Sequence, residues 1–454
     1  MQASEQHLRM AGRIGRENLS IEAALASTRE RYIKSRPHSR AAFESSRRVL
    51  PGGNTRSVLY FEPFPITMER GEAAEVWDID GHHYFDFVGE FSAGLYGHSD
   101  PLIKAAIIRA LEGGTVLAAP TAIDERFASA ISDRFPSIET LRFCNSGTEA
   151  NILAIMTAIA FSGRRKLLVF QESYHGGVLV FSGKGSPINL PFNYVVAPYN
   201  NSDAATELIR QNAADLAAVI VEPILGAAGN IPGHAEFLRT LRKETERCDA
   251  LLIFDEVKTS RCGAHGIQGL YDIYPDLTTL GKYIGGGLPT GVFGGRRDIM
   301  DRYDPASSGA LRHAGTFNNN VCSLAAGYAG LTEVFTADRA EEFLNTNEAF
   351  RLQLNKKMVD LDVPIQFVGL GSMFTVHFSH RSINSPDDIP PASRSLAQLL
   401  HMECLLKGVL LASRGDVFIS LPVDEPHRAA LTDAILRFAD TYGDLIRRKI
   451  PGPD

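Results

Sequence analysis

The sequence is poor in the features that mark several specialised classes of protein. Its 454 residues include only five cysteines, odd in number and far apart, so neither a disulfide scaffold nor a clustered metal site is indicated. No apolar run is long enough to cross a membrane, and the first residues lack the apolar stretch of a secretory signal. These absences predict a cytoplasmic protein with reduced thiols and no bound metal.

An excess of positive charge is also lacking. Lysine and arginine number 46 against 53 aspartates and glutamates, which gives a net charge of −7. A broad basic surface for nucleic acid is therefore not expected, and an anionic substrate would need locally placed arginines. The hydrophobic fraction of 44% is ordinary for a globular protein, and the length suits one large and one smaller domain.

The middle of the chain alternates between strand-like and helix-like segments. Helix-like segments separate several apolar runs of strand length, which lie at 141–144, 166–170, 217–221 and 250–254. This alternation predicts a large, mostly parallel sheet covered by helices on both faces. Ligands of such sheets bind beyond the carboxyl ends of the strands. The chemically interesting residues of this chain follow the apolar runs directly.

The two ends of the chain have a different pattern. Residues 21–35 have helical periodicity, and 66–88 are typical of short strands around turns at Arg70–Gly71 and Asp80–Gly81. Beyond about 340, helices and strands alternate as in a smaller α+β domain. These patterns predict three parts, which are an N-terminal segment (1–70) that joins the small domain, a large domain (71–340) and a C-terminal small domain (341–454).

The first candidate site is the segment NSGTEA at 145–150, between a predicted strand and a predicted helix. A glycine and small hydroxyl residues at a helix N-terminus leave backbone N–H groups free for an anion, and the helix dipole favours negative charge there. Ser146, Gly147 and Thr148 are therefore candidates for binding a phosphate. The alternative is a plain helix cap, in which a hydroxyl only satisfies the first backbone groups.

The second candidate is Asp255, which follows the apolar run 250–254. Burial of an unpaired carboxylate is costly, so a cationic partner is expected. A protonated pyridine nitrogen is one such partner, and an aspartate beside it would keep the ring an electron sink. A Mg²⁺ ligand is the alternative, but the GxxxxGK[ST] loop that accompanies it is absent from the sequence.

The third candidate is Lys282, in the stretch TLGKYIGGG. A lysine among apolar residues and glycines can be desolvated, which lowers its pKa enough for it to act as an amine nucleophile. The alternative is a surface lysine in a flexible loop, but Asp255 and the 146–148 turn favour the nucleophile. Tyr174 and His175, which follow the run 166–170, either stack on a flat cofactor or form a bare turn.

Six motifs occur together in one chain: NSGTEAN, YHG, VEP, LLIFDEV, TLGKYIGGG and HAGTFNNN. Over about residues 45–440 the chain resembles the fold-type I, class III pyridoxal-phosphate enzymes. The stretches NxRSVL, DEVxTSR and HxGTFNNN resemble aminotransferases of aromatic β-amino acids, and a more distant likeness is to glutamate-1-semialdehyde 2,1-aminomutases. The resemblance implies an α/β fold with a seven-stranded, mostly parallel sheet in the large domain.

The resemblance also implies which residues bind pyridoxal 5'-phosphate (PLP). Lys282 forms a Schiff base with the cofactor and later shuttles a proton, while Asp255 pairs with the pyridine nitrogen. Val257 packs on one face of the ring and Tyr174 covers the other. The remaining cofactor-binding residues are Ser146, Gly147, Thr148, His175, Glu222 and, from a neighbouring subunit, Thr316. A site shared in this way implies a homodimer.

Two arginines are candidates for binding substrate, because guanidinium groups bind carboxylates through paired hydrogen bonds. The alternative for each is an exposed salt bridge. The resemblance implies that Arg56 holds the carboxylate of a β-amino acid and that Arg414 holds the α-carboxylate in the other half-reaction. Lys258 is a second lysine near the cofactor, and we expect it to be directed away because Asp255 and Val257 face the ring.

The sequence thus predicts a PLP-dependent transaminase. Its expected donor is a β-amino acid like β-phenylalanine, and its expected acceptor is a 2-keto acid such as 2-oxoglutarate or pyruvate. Two alternatives remain open. An aminomutase of the glutamate-1-semialdehyde type would keep the amino group on one molecule, and a catalytically silent scaffold protein would retain only the fold.

Overall fold

A computed structural model describes residues 20–452 of the chain. The strands in that range are β1 (Met68–Glu72), β2 (Glu75–Asp78), β3 (His83–Asp86), β4 (Thr140–Cys144), β5 (Lys166–Phe170), β6 (Asn193–Ala197), β7 (Leu216–Val221), β8 (Ile224–Leu225), β9 (Ile231–Pro232), β10 (Leu251–Asp255), β11 (Leu277–Leu280), β12 (Gly291–Gly295), β13 (Ile365–Leu370), β14 (Met373–Phe378), β15 (Val409–Leu410) and β16 (Asp416–Phe418).

The α-helices in the same range are α1 (Ile21–Ser35), α2 (Pro37–Ser46), α3 (Pro101–Glu112), α4 (Ala122–Arg134), α5 (Gly147–Ser162), α6 (Ser202–Gln211), α7 (Ala235–Arg247), α8 (Gly266–Tyr271), α9 (Arg297–Met300), α10 (Val321–Ala329), α11 (Ala337–Asp360), α12 (Ser393–Leu405) and α13 (Glu425–Lys449). Among the described residues, no helix combines the length and the apolar character that a membrane crossing requires.

Seven strands form the central sheet, in the order β4-β12-β11-β10-β7-β5-β6. Strand β12 runs antiparallel to both of its neighbours, and all other adjacent pairs are parallel. The predicted seven-stranded, mostly parallel sheet is therefore confirmed. The apolar runs of the sequence correspond to β4, β5, β7 and β10, with ends that differ by at most one residue.

Both faces of this sheet are covered, as its apolar strands require. In β5, Leu167 and Val169 pack with α5 on one face, whereas Leu168 and Phe170 pack with α6 and α7 on the other. Full burial of such a side chain contributes about 1.5–3 kcal/mol relative to exposure. The sheet is therefore a rigid platform for the residues that follow its strands.

The register brings the carboxyl ends of three neighbouring strands to one edge. Asp255, the last residue of β10, pairs with Thr279 of β11, and Phe254 pairs with Val221, the last residue of β7. Glu222 follows β7 directly, so its side chain and that of Asp255 leave the sheet at the same edge, where ligands of parallel sheets bind.

Two smaller sheets are formed by strands that precede and follow the central sheet in sequence. Strands β1, β2 and β3 form an antiparallel sheet that β15 joins in parallel, and β13, β14 and β16 form an antiparallel sheet. Helix α1 lies against α12, where Thr28 Oγ1 donates to Glu403 Oε1 at 2.8 Å. The domain boundaries at 70 and 340 remain predictions, and residues 1–19 of the N-terminal segment lie outside the described residues.

One of the two predicted turns is wrong. Arg70 and Gly71 lie inside β1, and the chain reverses at Ala73–Ala74, where Ala73 has a φ of 48°. Gly71 serves close packing instead, because a Cβ on it would lie 2.7 Å from Cγ of His98. The turn at Asp80–Gly81 is present between β2 and β3.

Candidate active site

Lys282 lies at this sheet edge in a strained backbone conformation. It begins a short 3-10 turn just after β11, with a φ of 53°. A left-handed conformation costs about 1–2 kcal/mol for a residue with a side chain, and such strain clusters at functional sites. Burial lowers the pKa of the Lys282 amine, while the carboxylates of Asp255 and Glu222 oppose that shift. The environment therefore favours the neutral, nucleophilic amine.

Asp255 is buried and held by hydrogen bonds at the end of β10. Its Oδ2 accepts from Nδ2 of Asn151 at 2.8 Å and lies 2.8 Å from Nδ1 of His175, while Oδ1 accepts from the N–H of Val257 at 3.1 Å. Within residues 20–452, His175 is its one ion-pairing neighbour within 4.0 Å. A cationic group of a ligand would complete this environment.

The structure adds two residues that the sequence does not single out, Asn151 and Thr279. Asn151 Nδ2 donates both to Asp255 and to the backbone oxygen of His175 at 3.0 Å, and its Oδ1 accepts from Thr279 Oγ1 at 2.6 Å. A signal for Asn151 does exist, because an amide among the apolar residues of α5 needs buried partners.

The turn before α5 is a helix cap, and its binding of a phosphate remains a prediction. Ser146 is a helix cap, because its Oγ accepts from the N–H of Glu149 at 3.1 Å. Gly147 and Thr148 then begin the helix, where backbone N–H groups have no partner within the helix. Gly147 is tightly packed, since a Cβ there would lie 2.6 Å from Cγ1 of Val257.

Glu222 is buried beside Asp255 and accepts two backbone hydrogen bonds. Its Oε2 accepts from the N–H of Tyr174 at 2.9 Å, and its Oε1 accepts from the N–H of Gly226 at 3.1 Å. Burial raises the pKa of Glu222, and His175 opposes that shift. Glu222 thus fixes the position of Tyr174, whose ring is 43% exposed.

Arg56 forms an ion pair with Glu90, and its guanidinium lies 5.9 Å from the centroid of the Phe91 ring. The three residues from Glu90 to Ser92 all have positive φ values of 48–79°. This stretch is therefore a strained segment, as is common where a ligand binds. Burial raises the pKa of the Tyr174 hydroxyl, and the positive charge of Arg56 opposes that shift.

Arg414 is paired in a similar way. Its Nη2 donates to Oδ2 of Asp416 at 2.7 Å, and its Nη1 donates to the backbone oxygen of Ala227 at 3.2 Å. The side chain is 43% exposed, whereas that of Asp416 is almost fully buried. The exposed-salt-bridge alternative therefore holds for both arginines in this structure, and binding of a carboxylate would compete with these pairs.

Lys258 is not directed away from the site, contrary to expectation. A methyl group on Gly226 would lie 2.9 Å from Nζ of Lys258 and 3.1 Å from Oε1 of Glu222. The ammonium and the carboxylate therefore lie on the same side of the Gly226 backbone. Burial lowers the pKa of Lys258 to about 7, and the charge of Lys282 contributes to that shift.

Thr316 lies on an exposed loop before α10. The loop is joined to the segment before α5 of its own chain, because Asn145 Nδ2 donates to Oδ1 of Asn318 at 3.0 Å. In the part of the chain that the structure describes, Thr316 itself makes no side-chain hydrogen bond. Its role across a subunit interface remains a prediction.

These residues fit a flat, phosphate-bearing pyridine. Asp255 offers a buried anion, Lys282 a desolvated amine and the start of α5 unpaired N–H groups. The backbone around them is crowded, since a Cβ on Gly281 would lie 3.2 Å from Cα of Gly147. Glycines at these two positions keep the space free of side chains. Among residues 20–452 no group of three or more His, Cys, Asp and Glu side chains is arranged to hold a metal ion.

Comparison with known proteins agrees with this arrangement. Residues 60–435 match the family Aminotransferase class-III. The chain belongs to the class-III aminotransferases. It is 45% identical over 429 residues to the β-phenylalanine transaminase of Variovorax paradoxus, and the match covers 94% of this chain and 99% of that protein. The crystal structure of a β-phenylalanine aminotransferase from the same organism superposes with a TM-score of 0.92, with the same identity and coverage.

Two further proteins are similar to this chain at lower identity. A glutamate-1-semialdehyde 2,1-aminomutase of Methanococcoides burtonii is 36% identical, with 80% of this chain and 89% of that protein covered. A solved transaminase with PLP bound is 30% identical and has a TM-score of 0.81, with 91% and 99% of the two chains covered. This class-III aminotransferase therefore has the fold-type I architecture and uses PLP as its cofactor.

Proposed function

We propose that this aminotransferase transfers the amino group of an aromatic β-amino acid, such as β-phenylalanine, to a 2-keto acid. The observation that carries the proposal is the pairing of Arg56 with Phe91. A guanidinium beside an aromatic ring suits a substrate with a carboxylate at one end and a phenyl group near it. The 45% identity to the Variovorax paradoxus β-phenylalanine transaminase supports this assignment.

Each residue of the site has a defined task in that reaction. Bound PLP supplies an electron sink that stabilises negative charge on the substrate carbon. Asp255 would keep the ring nitrogen protonated, and the N–H groups of Gly147 and Thr148 would hold the phosphate. Lys282 would bind the cofactor covalently until the substrate amine replaces it, and its freed Nζ would then carry the proton from the substrate carbon to the cofactor.

The remaining cofactor contacts follow from the same fit. Val257 packs directly on Gly147 and would limit one face of the ring, and Tyr174 would cover the other. His175 would act through Asp255, whose carboxylate it orients, and Glu222 would hold the Tyr174 backbone in place. Ser146 would contribute to the phosphate site mainly by capping α5.

Substrate binding requires Arg56 to exchange partners. Glu90 neutralises the guanidinium before the substrate arrives, so the incoming carboxylate must displace it. Arg414 would in turn hold the α-carboxylate of the keto acid while Asp416 remains beneath it. The same pocket would accept the β-amino acid and the keto acid in turn. Arginines whose protein partners can be replaced by a substrate carboxylate suit such a pocket better than arginines in permanent ion pairs.

A homodimer with Thr316 contributed to the neighbouring site is the proposed assembly. Several apolar side chains of α3, of the segment after it and of the Thr316 loop are exposed, and these are Leu102, Ile108, Leu111, Val116, Leu117 and Phe317. Exposed apolar groups in such number are typical of protein interfaces. We also propose a cytoplasmic location, which the five free cysteines support.

Mixed dimers test the shared site. A Lys282→Ala chain and a Thr316→Ala chain are each expected to give impaired homodimers. A hybrid of the two contains one site with Lys282 and Thr316 both intact, so mixing followed by subunit exchange should restore activity. No restoration in a verified hybrid would place Thr316 outside the partner's site.

The substrate assignment is tested with a donor and acceptor panel. The holoenzyme should convert β-phenylalanine together with 2-oxoglutarate or pyruvate into glutamate or alanine. The competing function is the transfer of an amino group within one molecule, as in an aminomutase. The 36% identity to such an enzyme is the reason to test it. Formation of 5-aminolevulinate from glutamate-1-semialdehyde without any keto acid would favour the aminomutase. Turnover of neither would favour a silent scaffold protein.

A further inference from the structure

A chain of hydrogen bonds joins Arg414 to Lys258 across the site. Arg414 donates to Oδ2 of Asp416, and Thr375 Oγ1 donates to Oδ1 of the same carboxylate at 2.7 Å. Asn230 Nδ2 donates to Thr375 Oγ1 at 2.9 Å, and Lys258 Nζ donates to Oδ1 of Asn230 at 2.7 Å. Two cationic side chains are thus held at the two ends of one buried network.

Only one of the three N–H groups of Lys258 has a hydrogen-bond acceptor among the described residues. The ammonium lies 4.6 Å from the centroid of the Phe418 ring, which offers its face but no lone pair. A Cβ on Gly226 would lie 2.9 Å from Nζ of Lys258 and 3.1 Å from Oε1 of Glu222, so both groups border the Gly226 backbone. Two donors of Lys258 therefore remain available to a ligand.

The neighbours of Lys258 do not offset its burial when no ligand is bound. Burial disfavours the protonated form, as do Lys282 and Arg414, whereas Asp416 and Glu222 favour it. Glu222 is itself a weak counter-charge, because burial raises its pKa and two backbone N–H groups already occupy its oxygens. His377 lies on β14, the strand that pairs with β16 and thus with the strand of Asp416. Its Nε2 lies 2.9 Å from the backbone oxygen of Gly229.

We propose that Lys258 forms a two-cation subsite with Arg414 that selects a keto acid acceptor with two carboxylates. This inference rests on the proposed transaminase function and names a specificity residue within its site. Arg414 binds one carboxylate, and the two unused donors of Lys258 bind the other. A monocarboxylic acceptor such as pyruvate does not reach Lys258.

The subsite has a definite dependence on pH. Lys258 must be protonated to bind a carboxylate, and burial lowers its pKa to about 7 in the protein without cofactor. Affinity for a dicarboxylate is therefore expected to fall as the pH rises through the neutral range. A bound carboxylate stabilises the ammonium, so binding at pH 8 takes up a proton.

The test uses glutarate, a dicarboxylate that cannot be transaminated, so it does not depend on turnover. Calorimetric titration of the PLP holoenzyme should give a dissociation constant that Lys258→Met raises about 10- to 100-fold. Butyrate, which has one carboxylate, should bind both forms equally. Lys243→Met, on the exposed face of α7, is the matched control. At pH 8, the enthalpy of glutarate binding should differ between two buffers of different ionisation enthalpy, because binding takes up a proton. This difference is expected for the unmodified protein and not for Lys258→Met.

Three outcomes would overturn the inference. Equal losses for glutarate and butyrate would mean that Lys258 only supports the fold of the site. Unchanged glutarate binding would mean that Lys258 is not a ligand. A changed pH titration of the cofactor absorbance, with glutarate binding intact, would make Lys258 a neighbour that only tunes Lys282. If the panel of amino donors gave no product while glutarate still bound through Lys258, the proposed function would fail and the subsite would stand.

Discussion

The charged side chains in two parts of the site have different kinds of partner. The cofactor floor consists of Lys282 and of four buried residues that hydrogen bonds join to one another, which are Asn151, His175, Asp255 and Thr279. The substrate rim, which consists of Arg56, Glu90, Phe91, Arg414 and Asp416, carries arginines that are more than two-fifths exposed and paired with carboxylates of the protein.

The proposed function accounts for this difference. The cofactor floor would meet one ligand throughout the reaction, so its groups can be fixed in advance and no rearrangement is needed. The substrate rim would meet two different substrates in turn, so its cations hold partners that a carboxylate can replace. Changes to the floor should therefore abolish chemistry or stability, whereas changes to the rim should alter the affinity for substrates.

The largest expected effect comes from Lys282→Ala. Removal of the amine deletes both the covalent anchor and the proton-transferring group, so kcat should fall by about 1000-fold or more. Steady-state kinetics with β-phenylalanine measures it, and circular dichroism checks that the fold is retained. A loss of less than tenfold would separate Lys282 from the chemistry.

Asp255→Asn tests the charge of the floor without changing its shape. Loss of the carboxylate that is proposed to pair with the cofactor nitrogen should lower kcat by about 100- to 1000-fold, with a smaller effect on KM. Transient kinetics of the amino donor half-reaction isolates the step. An effect confined to KM would contradict the assigned role.

Arg56→Met tests the rim. The variant should raise KM for β-phenylalanine about 10- to 100-fold, because a charge-assisted pair with the substrate carboxylate is lost. The KM for the keto acid should change much less, since Arg414 remains. Equal changes in both constants would show that Arg56 does not discriminate between the two substrates.

Asn151→Ala tests whether the floor also supports the fold. The substitution leaves Asp255 Oδ2 and Thr279 Oγ1 each short of a partner, so the free energy of unfolding should fall by about 1–3 kcal/mol. Urea denaturation of the protein without cofactor measures this change. The control Asn345→Ala, on the exposed face of α11, should alter it by less than about 0.5 kcal/mol. Equal effects at both positions would contradict the special role of Asn151.

The smallest effect is expected from Glu90→Gln. The amide weakens the pair that Arg56 forms without substrate, so β-phenylalanine should bind a few-fold more tightly, in line with the modest strength of exposed ion pairs. A few-fold rise in KM would instead mean that Glu90 holds Arg56 in its binding position.

The sequence singles out Asp255, His175 and Lys282 of the floor and both arginines of the rim, but it does not show which residues they contact. Asp255 and Lys282 each follow an apolar strand, and parallel strands bring such positions to one edge, so local patterns suffice. Asn151 could not be assigned a partner in this way, because its contacts with Asp255 and Thr279 span 104 and 128 residues of sequence. The partners of Arg56 and the direction of Lys258 depend on side-chain geometry that no local pattern encodes.

The same limit explains the wrong turn at Arg70–Gly71. Glycine frees the backbone for a turn and also lets another side chain approach closely, and the sequence does not distinguish these uses. The neighbour that decides the case, His98, lies 27 residues away and is brought there by the fold.

The central claim is that Lys282, and not the neighbouring Lys258, binds the cofactor. Reduction of the holoenzyme with borohydride followed by peptide mass spectrometry tests it directly, because each lysine lies in a different part of the chain. The account predicts a pyridoxyl group on Lys282 and an unmodified Lys258. A pyridoxyl group on Lys258 would contradict it.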